Sequence, residues 1–160
     1  GLRTEREVNE AIDRYADLVR RICFVRLKTR EDSEDVFQTV FLKYLLYRGE
    51  FFSPEHEKAW FVRVTLNACK DWLRSLSRRQ TLPLEVLAEE AAGMETEDRD
   101  LLAVVLSLPE KYRDVIYLHY YEGYSAVEIG KLLGRSENTV YTWLSRARAA
   151  LKDKLGGDWP

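Results

Sequence analysis

SAVEIGKLLGRSENTVYTWLSRARAALK, residues Ser125–Lys152, reads as two short helices joined by a tight turn. Ala126, Ile129, Leu132 and Leu133 recur at helical spacing, and Gly134 follows where a helix must stop and the chain must turn. Ser136 is a ready N-cap for a second helix, whose Val140, Leu144, Ala147 and Leu151 make one apolar stripe. The rest of that helix shows Asn138, Tyr141, Thr142, Ser145, Arg146 and Arg148. Such side chains reach phosphates and base edges in a major groove. The pattern is a helix-turn-helix, and DNA is the first partner to consider. An ordinary antiparallel helix pair with a solvated polar face would share the periodicity. The shortness of the turn and the basic residues deep in the second helix favour DNA.

The chain has 160 residues, 46% of them hydrophobic, enough to bury sizeable cores in one domain or two small ones. Gly and Pro are sparse and a 3.6-residue apolar period recurs along long stretches, so the expected class is all-α. The formal net charge of -2 argues against a DNA binder only if charge is evenly spread, and it is not. Residues 60–80 carry Arg63, Lys70, Arg74, Arg78 and Arg79 against Asp71 alone, whereas residues 85–100 carry seven acids against Arg99. Cys23 and Cys69 stand isolated in sequence among apolar residues, with no metal-ligand spacing, and read as buried thiols. No apolar run approaches the length of a membrane span and no signal peptide opens the chain, which points to the cytosol. The opening Gly1-Leu2 lacks an initiator Met and reads as a trimmed or added start.

The apolar period predicts a first helix from Glu7 to about Lys28, along Val8, Ile12, Tyr15, Leu18, Val19, Ile22 and Leu27. Thr29–Asp32 reads as a polar turn and Ser33 as the cap of a second helix reaching Tyr47, with Val36, Phe37, Val40, Phe41, Tyr44 and Leu45 inward. Gly49 ends it, and a loop holding Phe51, Phe52 and Pro54 leads to a third helix, from about His56 to Leu76. Its core face would use Phe61, Val64, Thr65, Ala68 and Trp72. Residues 78–96, with Pro83, Gly93 and the acidic run, read as a linker. Helix resumes over Glu97–Leu106, and Pro109 starts another that runs from about Glu110 to Tyr121. The expected architecture is two small helical domains, residues 5–79 and 97–156, joined by a flexible acidic linker over 80–96.

At this point the residues carry a family likeness. Glu34–Lys43, EDVFQTVFLK, resembles a stretch in the second region of bacterial sigma factors, and Lys58–Arg74 is similar to the promoter-melting helix that follows it. Leu106–Arg113 and the helix-turn-helix resemble the fourth region. With only these two regions and a short linker, the chain resembles the extracytoplasmic-function (ECF) sigma factors of the sigma-70 family, over about residues 7–155.

The resemblance implies several roles. Glu34, Asp35, Gln38 and Leu42 would dock on the clamp helices of the largest subunit of core RNA polymerase, whose basic residues suit such acids. The solvated acidic start of a helix, favoured by its dipole, is the plainer alternative. For minus-ten recognition and melting, the loop and third helix supply Phe51, Phe52, His56, Trp60, Arg63, Asn67, Lys70, Arg74, Arg78 and Arg79. Single strands are held on charged, aromatic surfaces of this kind. Trp72 reads as core by its spacing, and Trp60 stays open between core and stacking. For the minus-thirty-five element, alignment with the family puts base-reading on Tyr141, Thr142, Ser145 and Arg146. It puts phosphate or positioning contacts on Arg135, Ser136, Asn138, Thr139 and Arg148.

Tyr141 and Trp143 replace positions that are commonly Arg or Lys in the family, and two fewer cations would weaken the salt-dependent phosphate attraction. The apolar face of Leu106–Tyr121 would grip the flap of the second-largest subunit. The acidic linker reads as a solvated tether or as a mimic of nucleic acid near the polymerase active centre. The resemblance further implies promoter DNA and an anti-sigma protein as partners, with no cofactor, no metal, no small-molecule substrate and no membrane insertion. The rival reading is a stand-alone helix-turn-helix regulator, for which residues 5–79 offer neither a heptad seam nor a ligand pocket. An enzyme is rejected for want of a metal-binding carboxylate cluster, a nucleophile set or a phosphate loop, since His56 and His119 stand alone.

Overall fold

A computed structural model describes residues 2–27, 29–76 and 103–155 of the chain. All regular structure among them is helical, and the chain divides into two compact units, Gly1–Glu90 and Ala91–Pro160. The expected linker over 80–96, together with Arg78, Arg79 and the helix start expected at Glu97, lies outside the described residues.

Three helices make the first unit, each packed on the other two: α1 (Glu5–Leu27), α2 (Arg30–Leu46) and α3 (Pro54–Leu76). α1 opens on a reciprocal cap. The Glu7 N–H donates to Thr4 Oγ1 at 3.1 Å, and the Thr4 N–H donates to the Glu7 carboxylate at 3.4 Å. α2 begins earlier than the sequence suggests. Thr29, not Ser33, is its cap: the Asp32 N–H donates to Thr29 Oγ1 at 3.2 Å, and the Ser33 hydroxyl donates to the Thr29 carbonyl. The polar Thr29–Asp32 stretch is therefore the start of a helix, its acids placed where the dipole favours them. α3 also starts early, because Pro54 suits the first helical position and Ser53 Oγ accepts the His56 N–H at 3.1 Å.

Phe61 of α3 is the centre of this core, with no exposed surface. Its ring meets Tyr15 of α1 at 4.4 Å, and Tyr44 and Phe41 of α2 at 5.1 and 5.4 Å. Val19, Ile22, Val36, Val40 and Val62 are buried in the same unit. Thr65 is buried as well, its hydroxyl satisfied by the Phe61 carbonyl at 2.6 Å. α3 is covered on two sides, so its buried face is wider than a single stripe. Val62, Leu66 and Cys69 join the expected Phe61, Thr65 and Ala68, while Val64 and Trp72 are only half-buried. The indole N–H of Trp72 is buried with no hydrogen-bond partner among the described residues. Cys23 and Cys69, separate in sequence, meet across α1 and α3. A hydrogen bond with Cys69, together with burial, drives the Cys23 thiol far above its ordinary range, so Cys23 stays protonated.

The second unit holds a short helical piece at residues 103–106 and then α4 (Glu110–Ile116). The helix expected as far as Tyr121 is α-helical only to Ile116 and widens over Tyr117–Tyr121 into a π-turn, with the Glu122 N–H donating to the Tyr117 carbonyl five residues back. α5 (Ala126–Leu133) and α6 (Glu137–Leu155) complete the unit and pack on each other. α6 also packs on α4, and Ile129, Val140, Leu144, Ala147 and Leu151 are buried, so the stripe read from the sequence is the core-facing one.

The turn between α5 and α6 depends on two glycines. Gly134 ends α5 in the left-handed region, at φ 67°, as its place in the sequence suggests. Gly130 is less obvious. The Arg135 N–H donates to its carbonyl at 2.8 Å, and a methyl group on Gly130 would stand 2.6 Å from the Arg135 carbonyl oxygen. In a free helix Gly130→Ala would gain about 1 kcal/mol of propensity. Here the obstacle is backbone, so the turn itself must move. We expect Gly130→Ala to cost the second unit about 1–3 kcal/mol, the usual penalty for overpacking. Urea unfolding followed by circular dichroism checks this, and an unchanged or raised midpoint would contradict it.

Candidate nucleic-acid interface

Each unit carries a polar face whose composition follows from what the opposite face buries. On α3, Arg63, Asn67, Lys70 and Arg74 fall four, three and four residues apart and are all exposed, opposite Phe61, Thr65 and Ala68. Asp71 borders this row as its one acid. On α2, Glu34, Asp35, Gln38 and Leu42 are all exposed, and Leu46 extends the row by one turn. That face runs from acidic at its N-terminal end to apolar at its C-terminal end, with Leu42 55% and Leu46 53% exposed.

The loop before α3 is more ordered than its sequence suggests. Trp60, half-buried, sits among Tyr44, Tyr47, Phe51 and Phe61, with ring centroids 5.0–5.9 Å away. Phe51 belongs to the same cluster, against Tyr44 and Tyr47. Phe52 is the exception. The residue is 93% exposed, and among the described residues its ring stacks on His56 alone, at 5.1 Å and 10°. The Phe52 N–H donates to His56 Nδ1 at 3.0 Å, which makes that nitrogen the acceptor of the ring.

Arg3 holds the loop from the other side. Its guanidinium donates to the carbonyls of Tyr44 at 3.1 Å and Gly49 at 2.8 Å, and lies 4.4 Å over the Tyr44 ring and 5.3 Å over that of Phe51. The Arg3 N–H adds a bond to the Leu45 carbonyl. One cation thus satisfies carbonyls at the C-terminal end of α2, where the helix dipole is negative, and fixes the path to Phe51 and Phe52. The sequence offered no sign of this, because the partners lie more than 40 residues away.

In the second unit, the exposed residues of α6 include Asn138, Tyr141, Thr142, Ser145, Arg146 and Arg148, opposite the buried stripe. Ser136 caps α6, accepting the Thr139 N–H at 3.2 Å and meeting the Thr139 hydroxyl at 2.8 Å. Arg135 and Ser136 are exposed and Thr139 is half-buried. The Thr142 hydroxyl donates to the Asn138 carbonyl, which leaves its oxygen as an acceptor and its methyl group as the contacts it can offer. α5 is capped by a Ser125–Glu128 box, and the bonds from Ser125 hold the Glu128 carboxyl below the usual range.

Tyr120, on the π-turn, accepts a hydrogen bond from Arg148 Nε and places its ring under that guanidinium. Tyr121 is exposed beside it, stacked on Tyr117 at 5.6 Å. His119 is half-buried, with Nδ1 2.8 Å from the Tyr124 carbonyl. Trp143 does not share the outer face with Tyr141. It is half-buried, with Lys111 and Arg135 over its ring. Leu46, Lys111 and Tyr120 join the candidate surfaces unforeseen, since helical period alone does not say which neighbours approach from another helix.

We expect Arg3→Ala to destabilise the first unit by about 1–3 kcal/mol, the worth of hydrogen bonds from a charged donor in a largely buried setting. Arg3→Lys should recover little, because an ammonium cannot span both carbonyls in one plane. Hydrogen exchange checks the location: amides of residues 47–53 should exchange faster in both variants, and protection equal to the parent would contradict it.

Comparison with known proteins places these surfaces in context. Residues 11–79 match the sigma-70 region 2 family and residues 98–151 match the sigma-70 region 4 family. The chain is 30% identical over 146 residues to the ECF RNA polymerase sigma factor SigM of Mycobacterium tuberculosis, covering 89% of this chain and 74% of that one. It is 32% identical over 136 residues to the probable RNA polymerase sigma factor RfaY of Xanthomonas campestris. That match covers 77% of this chain but only 34% of the relative, so the chain spans about a third of that protein. Among solved structures, the sigma factor RpoE of Bartonella quintana, crystallised with the anti-sigma factor NepR, superposes with a TM-score of 0.75 at 18% identity. The match covers 96% of this chain and 99% of that one, a likeness of fold.

Proposed function

The chain belongs to the sigma-70 family of RNA polymerase sigma factors, in its ECF branch, and from that membership we propose that it directs promoter-specific transcription initiation through three separate surfaces. The observation that carries this reading is the presence of both family regions in order within one chain, each folded with a polar face opposite its core. The α2 row of Glu34, Asp35, Gln38 and Leu42 docks on the clamp helices of the largest core subunit. Acids at one end suit a basic partner, and an exposed leucine at the other gains by burial. The apolar face of the second unit's first helices grips the flap of the second-largest subunit.

Phe51, Phe52, His56, Trp60, Arg63, Asn67, Lys70 and Arg74 receive the minus-ten element, with Arg78 and Arg79 continuing the basic run. Within this set the groups divide by exposure. Phe52 offers the one free ring face for an unstacked base, worth about 1–3 kcal/mol per stacked base. Phe51 and Trp60 build the wall behind it, and the cations of α3 track the displaced backbone. At the minus-thirty-five element, Tyr141, Thr142, Ser145 and Arg146 reach base edges, and Asn138 and Arg148 position the helix on phosphates. Ser136 and Thr139 act chiefly through the α6 cap. An anti-sigma protein is the expected regulator, as RpoE of B. quintana has in NepR.

Run-off transcription with purified core polymerase and a genomic promoter library tests the reading. Transcripts that begin only when this chain is added support it, and a pattern unchanged by the chain refutes it. Two variants test the parts. Neutralising Arg63, Lys70 and Arg74 together should abolish strand opening while core binding persists. Promoter thymines that keep full permanganate reactivity would remove the role from α3. Replacing Arg146 with Ala should cost about 1–3 kcal/mol and relax preference at one base pair. A uniform loss on all sequences would make it a phosphate contact instead.

A further inference from the structure

Trp143 is half-buried on the flank of α6, and two cations from neighbouring elements lie over its ring. Lys111, in the first turn of α4, places Nζ 5.6 Å from the centroid of the Trp143 ring and 5.4 Å from that of Tyr112. Arg135, in the turn between α5 and α6, places its guanidinium carbon 5.7 Å from the same Trp143 ring. Both distances fall within the range in which a cation is drawn to an aromatic face. Lys111 and Arg135 are exposed, and among the described residues neither makes an ion pair with a carboxylate. Two exposed cations held at one indole concentrate positive charge beside α6, and an anion bound there offsets it.

The site also has the right place relative to the reading face of α6. Trp143 follows Thr142 and precedes Arg146 by three residues, so it flanks the row Asn138, Thr142 and Ser145 on one side. Arg148, held by Tyr120, belongs to the row of Tyr141 and Ser145 on the other. A helix lying in a major groove meets a phosphate strand along each side, and backbone contacts there set its register.

We propose that Lys111 and Arg135 form a backbone-phosphate clamp assembled on the Trp143 ring, which gathers two cations from neighbouring elements beside α6. The clamp rests on the reading of α6 as the minus-thirty-five helix. Lys111 and Arg135 touch the phosphate, and Trp143 is a positioning residue that acts through them. The ligand is the DNA backbone, without regard to sequence.

The test uses the full chain with core polymerase on duplex promoter DNA, with affinity measured across a series of salt concentrations. Lys111→Ala should lower the slope of log affinity against log salt by about 0.9, one phosphate contact, and weaken all upstream sequences equally. Trp143→Leu should weaken binding too, and Lys111→Ala should then have little further effect. Trp143→Phe, which keeps a π face and guards against a folding defect, should preserve the Lys111 effect. An unchanged slope for Lys111→Ala, a loss confined to one base pair, or additive effects of Lys111→Ala and Trp143→Leu would each overturn the clamp while leaving promoter recognition standing. Absence of promoter binding by the unaltered protein with core polymerase would overturn the underlying reading and the clamp with it.

Discussion

The ring of Phe61 is shared by three helices, and the first unit's exposed surfaces are fixed by that sharing. Tyr15 reaches it from α1, Phe41 and Tyr44 from α2, and Trp60 and Thr65 surround it on α3. A side chain closed on all sides leaves each helix one rotation about its own axis at which the cluster packs. With α3 so oriented, Arg63, Asn67, Lys70 and Arg74 have to face outward. With α2 so oriented, Glu34, Gln38, Leu42 and Leu46 do. The exposed rows are consequences of the core. The surfaces proposed for nucleic acid and for polymerase therefore lie on different helices of one small bundle and share no residue.

The second unit reaches a similar end through backbone approach. Gly130 lets the turn fold against α5, so α6 starts close beside it and its stripe of Val140, Leu144, Ala147 and Leu151 is buried. Polar side chains on the outer face of α6 and in the turn before it do not all remain free for a ligand. Thr142 is tied to its own helix, Arg148 to Tyr120, and Arg135 to the Trp143 ring. Each tie removes rotamer freedom before any partner arrives, which lowers the entropy lost when a contact forms. Long cations presented on aromatic supports are in this sense prepared rather than merely exposed.

Periodicity makes the class and nearly every helix legible in the sequence, because a 3.6-residue apolar repeat records which side is buried. The caps at Ser125 and Ser136 and the stop at Gly134 are equally local and equally readable. The start of α2 is not, since Thr29 and Ser33 are both competent caps four residues apart and tertiary packing decides between them. Arg3 gives no signal because its partners are carbonyls from a distant helix end and loop, and carbonyls leave no mark on residue type. The pairing of Cys23 with Cys69, and of Lys111 with Trp143, depends on which helices meet. Exposed positions on α2, α3 and α6 could be read off the pattern. The aromatic supports that order them could not.

The π-turn at Tyr117–Tyr121 matters for chain length as well as for display. A π-turn takes up one residue more than an α-turn, so the segments on either side keep the phase they would have with one residue fewer. The connection between α4 and the helix-turn-helix therefore has a position at which one residue can enter or leave without turning the exposed face of α6. Variation there would be of length rather than of identity, and a tyrosine could join or quit the surface without disturbing the phase of either neighbouring helix.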